Sequence, residues 1–161
     1  MEKLARSFFA ATAAKDIDKL LDHWADDGVD EIVPVGIFRG KGEIEAFVRD
    51  FLGSSSDLEL SVERVIADDS HAVVEWRMRG TFDGAFQGLE PTGSRLDMRG
   101  TDILEIEGDK VKRLTAYYDG ASFARQVGMM PGQDSGAERA LKGAFNAVTK
   151  VRKAVDERRG L

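Results

Sequence analysis

The stretch 99–119 constrains the fold most, because its apolar and polar residues alternate with a period of two. Gly108-Asp109 interrupts the alternation, which predicts two antiparallel strands joined by a tight turn. On the first strand, the even positions from 96 to 106 are apolar or small except Asp102. Since successive side chains of a strand point to opposite faces, the even face is the buried one. Asp102 is therefore predicted to point inward.

A carboxylate among apolar neighbours must find a partner, remain protonated, or face an internal pocket. A second acid, Asp119, follows the aromatic end of the second strand. We expect both acids to lie in a ligand cavity. Two structural alternatives remain open: Asp102 forms a buried ion pair with Arg64 or Arg77, and Asp119 is the N-cap of a following helix.

The rest of the chain divides into helical and extended segments. Helical spacing predicts helices over 2–13, 17–24, 121–127, after Phe38, and from a capping box at Ser135-Gly-Ala-Glu138 onward. Alternation predicts strands over 31–35, 58–62 and 71–82. Segregated helices and strands indicate an α+β fold. A bent sheet with helices over one face leaves a conical cavity between them.

Composition limits the function classes. With 161 residues the chain is long enough for one domain, and it has no cysteine, which excludes disulfides and thiolate metal sites. Its two histidines lack metal-ligand spacing, so we expect no metal site. No signal-peptide pattern or membrane-length apolar run is present, so we expect a cytoplasmic protein without a membrane partner.

The charge is unevenly distributed. Residues 135–161 carry 7 Lys/Arg and 3 Asp/Glu, a net of +4, whereas residues 1–134 carry 16 basic and 26 acidic residues, a net of −10. The acidic body argues against nucleic acid as a partner. The basic C-terminal helix has an apolar seam, which favours packing on the body or on a dimer partner.

The segment Gly80-Thr-Phe-Asp-Gly-Ala-Phe-Gln-Gly-Leu-Glu-Pro-Thr-Gly93 resembles a loop of the SnoaL-like polyketide and ester cyclases, which belong to the NTF2-like superfamily. The pattern is roughly Gly-Thr-x-x-Gly-x-Phe-x-Gly-x-x-Pro-Thr-Gly. The resemblance continues through the two strands and Asp119 to Arg125-Gln-Val-Gly128, and covers about residues 1–130. We therefore divide the chain into a domain at 1–130 and a C-terminal amphipathic helix at 131–161.

This resemblance implies a cone-shaped barrel, usually a homodimer, and acid–base chemistry without metal or cofactor. Asp119 matches the acid that transfers the proton in the ring-closing enzymes, and Asp102 stands where they have a histidine. Ketosteroid isomerase, of the same superfamily, also pairs acids in its site. We expect Asp119 to move the proton and Asp102 to polarise the substrate or hold Asp119.

The function predicted from these residues is cofactor-independent catalysis on a small hydrophobic oxygenated molecule, with polyketide cyclisation by aldol chemistry as the example. A non-catalytic binding or dimerisation domain is the alternative, and an isomerase or epoxide hydrolase is a further one. Seven residues are predicted to contact the substrate: His23, Trp24, Phe47, Trp76, Met78, Phe82 and Tyr117.

Overall fold

The computed structural model describes residues 1–33 and 35–159. Its helices are α1 (Glu2–Ala13), α2 (Ile17–Asp22), α3 (Gly40–Gly53), α4 (Gly120–Gln126) and α5 (Gly136–Arg159). Its strands are β1 (Trp24–Val33), β2 (Gly36–Arg39), β3 (Glu59–Ala67), β4 (His71–Thr81), β5 (Arg95–Glu107) and β6 (Lys110–Tyr118). Pro34, in a predicted strand, and Gly160 and Leu161, in the predicted C-terminal segment, lie outside the described residues.

The six strands form one curled, unclosed sheet in the order β2-β1-β6-β5-β4-β3. All neighbours are antiparallel except β1 and β6, which run parallel. Helix α1 packs against β3 and helix α3 against β1. The helices thus cover one face of the sheet, and the predicted α+β fold is confirmed.

The first strand begins earlier than predicted, and the preceding helix ends earlier. Residues 25–28 contain two aspartates and a glycine, which predict a helix end rather than a strand. Pairing with β6 overrides this local preference, since Trp24 lies opposite Val111 and the His23 carbonyl accepts a hydrogen bond from the Val111 amide at 2.7 Å. The register shifts between Trp24 and Val29, so β1 carries an irregularity there. The strand predicted at 31–35 was therefore too short, and β2 was missed.

The alternation predicted for β4 and β5 is confirmed. Their even positions face the helices, and Ala72, Val74, Met78, Leu96, Met98, Leu104 and Ile106 are all buried. Direct cross-strand pairs place Val74 opposite Asp102 and Met78 opposite Met98. Burial of these side chains supplies the core, at about 25 cal/mol per Å² of apolar surface removed from water.

Helix α5 begins at the predicted capping box. The Glu138 amide donates to Ser135 Oγ at 3.1 Å, and Glu138 Oε2 accepts from the Asp134 amide at 2.8 Å. Glu138 is buried and lies 3.8 Å from Arg125, which joins the helix to the body. Beyond it the apolar seam is open to solvent, since Leu141, Phe145, Val148 and Val151 are 55–69 % exposed. In the described residues this seam does not pack on the chain's own body.

The loop between β4 and β5 is tied to the end of α3. The amides of Asp83 and Gly84 donate to the Ser54 carbonyl at 3.2 and 3.0 Å. Asp83 in turn accepts from the Ser56 amide at 2.9 Å and from its hydroxyl at 2.5 Å. A Cβ atom on Gly84 would lie 2.0 Å from the Gly53 carbonyl oxygen. The close approach of two backbones therefore requires glycine at position 84.

We predict that Gly84→Ala lowers the free energy of unfolding by about 1–3 kcal/mol, because backbone cannot yield as a side chain can. Gly53→Ala is the matched control, since nothing lies within 4 Å of a Cβ placed there. This control should leave stability unchanged or raise it slightly, because alanine favours a helix. Urea unfolding measures the free energy of unfolding of both variants. Equal losses of stability in the two would contradict the proposed backbone contact.

Candidate active site

A cavity of about 140 Å³ lies between the concave face of the sheet and the helices. The four helices α1 to α4, the β4–β5 loop and the inward faces of the strands contribute its walls. The described residues that line it are Phe8, Phe9, Thr12, Leu20, Asp30, Ile32, Val35, Phe47, Val48, Phe51, Ser54, Leu60, Trp76, Met78, Phe86, Leu96, Met98, Asp102, Leu114, Ala116, Tyr118 and Phe123. The surface is almost wholly apolar, so its two carboxyl groups are conspicuous.

Asp102 lines this cavity, and the prediction that it points inward is confirmed. It is 8 % exposed, and Trp76 Nε1 donates a hydrogen bond to its Oδ1 at 2.7 Å. The predicted alternative, an ion pair with an arginine, is wrong. Arg64 lies 3.4 Å from Glu75, and Arg77 pairs with Asp97 at 2.6 Å.

Gly100 makes room for the Trp76 indole. The two residues lie directly opposite each other on β4 and β5. A Cβ on Gly100 would lie 2.2 Å from Trp76 Cζ2, so the ring packs against the bare backbone of β5. Since Asp102 is two residues further along the same face of β5, the indole N–H reaches its carboxylate. The Trp76–Gly100 pair therefore positions the donor for Asp102.

Asp30 is a second carboxyl group in the cavity, and the sequence-based prediction missed it. It lies on β1 opposite Leu114 of β6, and it is 4 % exposed. Among the described residues, its buried Oδ1 has no hydrogen-bond partner. A buried acceptor without a partner is costly, which favours either the protonated form or a ligand that bonds to it. Asp30 shares the parity of Ile32, so a strand predicted from residue 24 would have placed both on the inward face.

Burial raises the pKa of both carboxyls. The pKa of Asp30 rises to about 8, chiefly through burial and further through the nearby charge of Asp102. Burial raises the pKa of Asp102 to about 7, and the hydrogen bond from Trp76 opposes this rise. Because only Asp102 has a donor to stabilise its anion, we place the negative charge of the pair on Asp102 and the proton on Asp30.

Asp119 lies outside the cavity, so the expectation that it faces the cavity is wrong. Its side chain is exposed, and Oδ1 accepts from the Ser122 amide at 3.0 Å. It is the N-cap of α4, as the structural alternative predicted. Strand β6 ends at Tyr118, and capping the next helix turns the carboxylate away from the concave face.

The two tyrosines before Asp119 take opposite faces, and the inward one is Tyr118. Ala116 lies opposite Asp102, so Ala116 and Tyr118 share the inward face of β6. Tyr118 is half-buried in the cavity wall, where burial raises the pKa of its phenol. Tyr117 is 49 % exposed on the other face, so its predicted position at the substrate is wrong.

The remaining predicted contact residues divide into two groups. Phe47, Trp76 and Met78 line the cavity, where a substrate could reach them. Trp24 and Phe82 are buried core residues that do not line it.

His23 also lies outside the lining, because both of its ring nitrogens are used elsewhere. Nδ1 lies 2.7 Å from the Lys19 carbonyl oxygen, to which it donates, and Nε2 lies 2.9 Å from Ser7 Oγ. The imidazole also packs edge-on against Phe8. These contacts give His23 a structural role between α1 and α2, and its predicted place in the pocket is wrong.

The curled sheet, the covering helices and the cavity within them define an NTF2-like fold. Similar solved structures include AclR, a proposed hydroxylase from Streptomyces galilaeus, at 20 % identity and a TM-score of 0.72, covering 97 % of this chain and 94 % of that one. A proposed SnoaL-like polyketide cyclase from Jannaschia sp. CCS1 is 20 % identical with a TM-score of 0.73. The match covers 80 % of this chain and 92 % of that one. A protein with a ketosteroid isomerase-like fold from Catenulispora acidiphila DSM 44928, in complex with trimethylamine, is 17 % identical with a TM-score of 0.67. The match covers 78 % of this chain and 92 % of that one. At these identities the likeness establishes the fold.

The sequence itself matches the SnoaL-like domain over residues 5–114, and the chain belongs to this family. The predicted resemblance is thereby confirmed. A search of curated proteins finds no match. Over residues 1–33 and 35–159, no helix is both long and apolar enough to cross a membrane.

We predict that the two buried acids make stability fall as the pH rises. Their pKa values in the folded chain, about 8 and about 7, exceed the value of about 3.9 for an unfolded aspartate. The folded state therefore binds more protons between about pH 4 and pH 8, and its free energy of unfolding should fall across that window by about 1.4 kcal/mol for each unit by which a pKa is raised. Urea unfolding at several pH values measures the slope of the free energy of unfolding against pH.

The double variant Asp30→Asn/Asp102→Asn should flatten this slope. Asp119→Asn removes an exposed carboxyl while keeping a good N-cap, so it should retain the wild-type slope. A double variant with an unchanged slope would show that other groups cause the pH dependence.

Proposed function

We propose that the protein is a cofactor-independent acid–base enzyme acting on a small hydrophobic oxygenated substrate. The observation that carries this proposal is the pair Asp30 and Asp102, two carboxyls held in one apolar cavity with pKa values near neutrality. A general acid or base works best when its pKa lies near the working pH. Membership of the SnoaL-like family agrees with such an enzyme.

The first chemical step is removal of a proton next to a carbonyl group. The Asp102 carboxylate accepts this proton, and the neutral Asp30 carboxyl donates a hydrogen bond to the carbonyl oxygen. Negative charge then develops on that oxygen in a site with little water, where a fixed donor is most effective. A neutral aspartic acid serves as such a donor in ketosteroid isomerase.

The fate of the enolate decides the reaction type. If Asp102 returns the proton to another carbon of the conjugated system, a double bond moves and the reaction is an isomerisation. If the enolate carbon attacks a second carbonyl of the same molecule, a ring closes and the new alkoxide takes the proton back from Asp102, which restores the starting carboxylate. Polyketide-type cyclisation follows this second course, and both courses share the first step.

Asp119 was predicted to move the proton, and we now assign that work to the cavity pair. Asp119 caps α4 and is exposed, whereas Asp30 and Asp102 meet the same cavity. The non-catalytic alternative, a small-molecule binding domain, uses the same cavity without proton transfer. Exchange of carbon-bound protons distinguishes the two functions.

We predict that the protein catalyses exchange of the α-protons of cyclohexanone with D₂O, followed by NMR. Asp102→Asn should reduce the exchange rate by about 100-fold or more, because the base is lost. Asp30→Asn should reduce it by about tenfold or more, since an amide is a weaker donor to the enolate. Asp119→Asn should remain within about twofold of the wild type, because the cap persists. Exchange lost in Asp119→Asn but kept in Asp102→Asn would reverse the assignment.

For assembly, we infer that α5 packs on the acidic body of a second copy of the chain. The apolar seam of the helix is exposed, and its segment carries a net charge of +4 against −10 for the body. Pairing seam to seam would bring two basic segments together, which like-charge repulsion opposes. We therefore treat residues 1–130 as the domain and 131–161 as an extension that reaches the partner.

We predict that the full chain is dimeric at low salt and that Phe145→Asp makes it monomeric, by loss of an apolar contact in the seam. Asn146→Asp is the matched control, because it adds the same charge at an exposed neighbouring position. Light scattering after gel filtration measures the mass of each variant. A monomeric wild type, or two variants that behave alike, would contradict the proposed contact.

A further inference from the structure

The size and polarity of the cavity restrict the substrate more than the family does. We propose that the substrate is a neutral ketone whose body is a single ring, rather than a fused polycycle. This inference rests on the proposed function and specifies its substrate. It is carried by the cavity volume, by the aromatic walls and by the placement of the free polar groups.

The volume allows one ring. The cavity holds about 140 Å³, and an apolar protein cavity of about 150 Å³ accommodates one benzene molecule. Sites for drug-sized ligands usually measure about 300–1,000 Å³. The part of the cavity beside the carboxyl pair therefore matches the size of one ring.

The walls resist expansion because their aromatic rings support one another. Phe38 and Phe47 stack with ring centroids 4.4 Å apart. The ring centroid of Phe86 lies 6.3 Å from those of Phe47 and Phe123. The backbone groups of Phe86 and Leu89 exchange two hydrogen bonds, of 3.1 and 2.8 Å, which close the loop. Moving one ring outward would break contacts with its neighbours, and close-packed interiors yield little. The observed volume therefore limits the ligand.

The free polar groups are few, and they define the polar end of the ligand. Thr12 Oγ1 donates to the Phe8 carbonyl at 3.0 Å, and Ser54 Oγ donates to the Phe51 carbonyl at 2.6 Å. Both hydroxyl protons are thus used within their own helices. This leaves the two carboxyls and the Tyr118 hydroxyl to meet a ligand.

The charge of the lining selects against anionic ligands. No lysine, arginine or histidine is among the described lining residues. A carboxylate or phosphate would therefore meet two acids without a cation, which electrostatics opposes. One carboxylic acid and one carboxylate instead match a carbonyl oxygen and the adjacent C–H of a neutral ketone. An apolar ring fits the remaining walls.

The test is a size series of neutral ketones binding to the full-length protein at pH 7, followed by isothermal calorimetry or ligand-observed NMR. Cyclohexanone has one ring, 1-tetralone two fused rings and 9-fluorenone three. We expect the dissociation constant for 9-fluorenone to be at least about tenfold higher than for cyclohexanone, although the larger molecule is more hydrophobic. Equal or tighter binding of 9-fluorenone would overturn the size limit.

Two charged analogues test the polarity of the site. Cyclohexanecarboxylate should bind at least about tenfold more weakly than cyclohexanone at pH 7, because of the carboxyl pair. Cyclohexylammonium tests whether the acids instead select a cation. Tighter binding of either ion than of the ketone, or no binding of any neutral ketone, would overturn the proposal.

Wall variants test whether the rings set the limit. Phe86→Leu should improve 1-tetralone binding relative to cyclohexanone, and Phe51→Leu, at a neighbouring position in the same wall, is a second variant if the first does not fold. An unchanged ratio in a folded variant would contradict the role of the wall. Failure of the proposed function is distinguishable, because cyclohexanone would then bind without α-proton exchange.

Discussion

The hydrogen bond from the Trp76 indole to Asp102 is the interaction on which the chemistry of this site depends. It crosses from β4 to β5 inside the cavity, and it requires that Gly100 lack a side chain. Without this bond, Asp102 would be a buried carboxyl with no partner, in the same condition as Asp30. With it, two chemically identical groups become unequal: one is stabilised as an anion, and the other retains its proton. A difference in environment thus divides the roles of base and acid between two aspartates.

The arrangement costs stability. A fold optimised only for stability would place apolar side chains at positions 30 and 102, where the neighbouring walls are already apolar. The chain instead buries two carboxyls whose charged forms are disfavoured by burial. Unsatisfied or strained groups of this kind concentrate at functional sites. The contrast with Asp119 supports this view, because that carboxylate accepts a backbone hydrogen bond in an ordinary N-cap at the surface.

Much of the fold was predictable from local pattern, whereas the membership of the site was not. Period-two alternation predicted β4, β5 and β6, together with the inward position of Asp102, because a strand's parity fixes its faces. Asp30 was missed because Ala25-Asp-Asp-Gly28 looks like a helix end, and only pairing with β6, more than 80 residues away, makes it part of a strand. Tyr117 and Asp119 were misplaced for a related reason. Tyr117 shares the parity of Asp119, but the strand ends at Tyr118, and the pairing of Ala116 with Asp102 sets the inward face.

We expect Asp30 and Asp102 to titrate inside the apolar cavity close to neutral pH. The most direct measurement is a pH titration of their carboxyl carbons by ¹³C NMR in the full-length protein, assigned with the single Asn variants. We expect midpoints near the pKa values of about 8 and about 7, and a higher midpoint for Asp102 in Trp76→Phe, because that variant removes the indole donor. Two midpoints near the ordinary value of about 3.9 would contradict this expectation, since the carboxyls would then be solvated and unsuited to acid–base work at neutral pH.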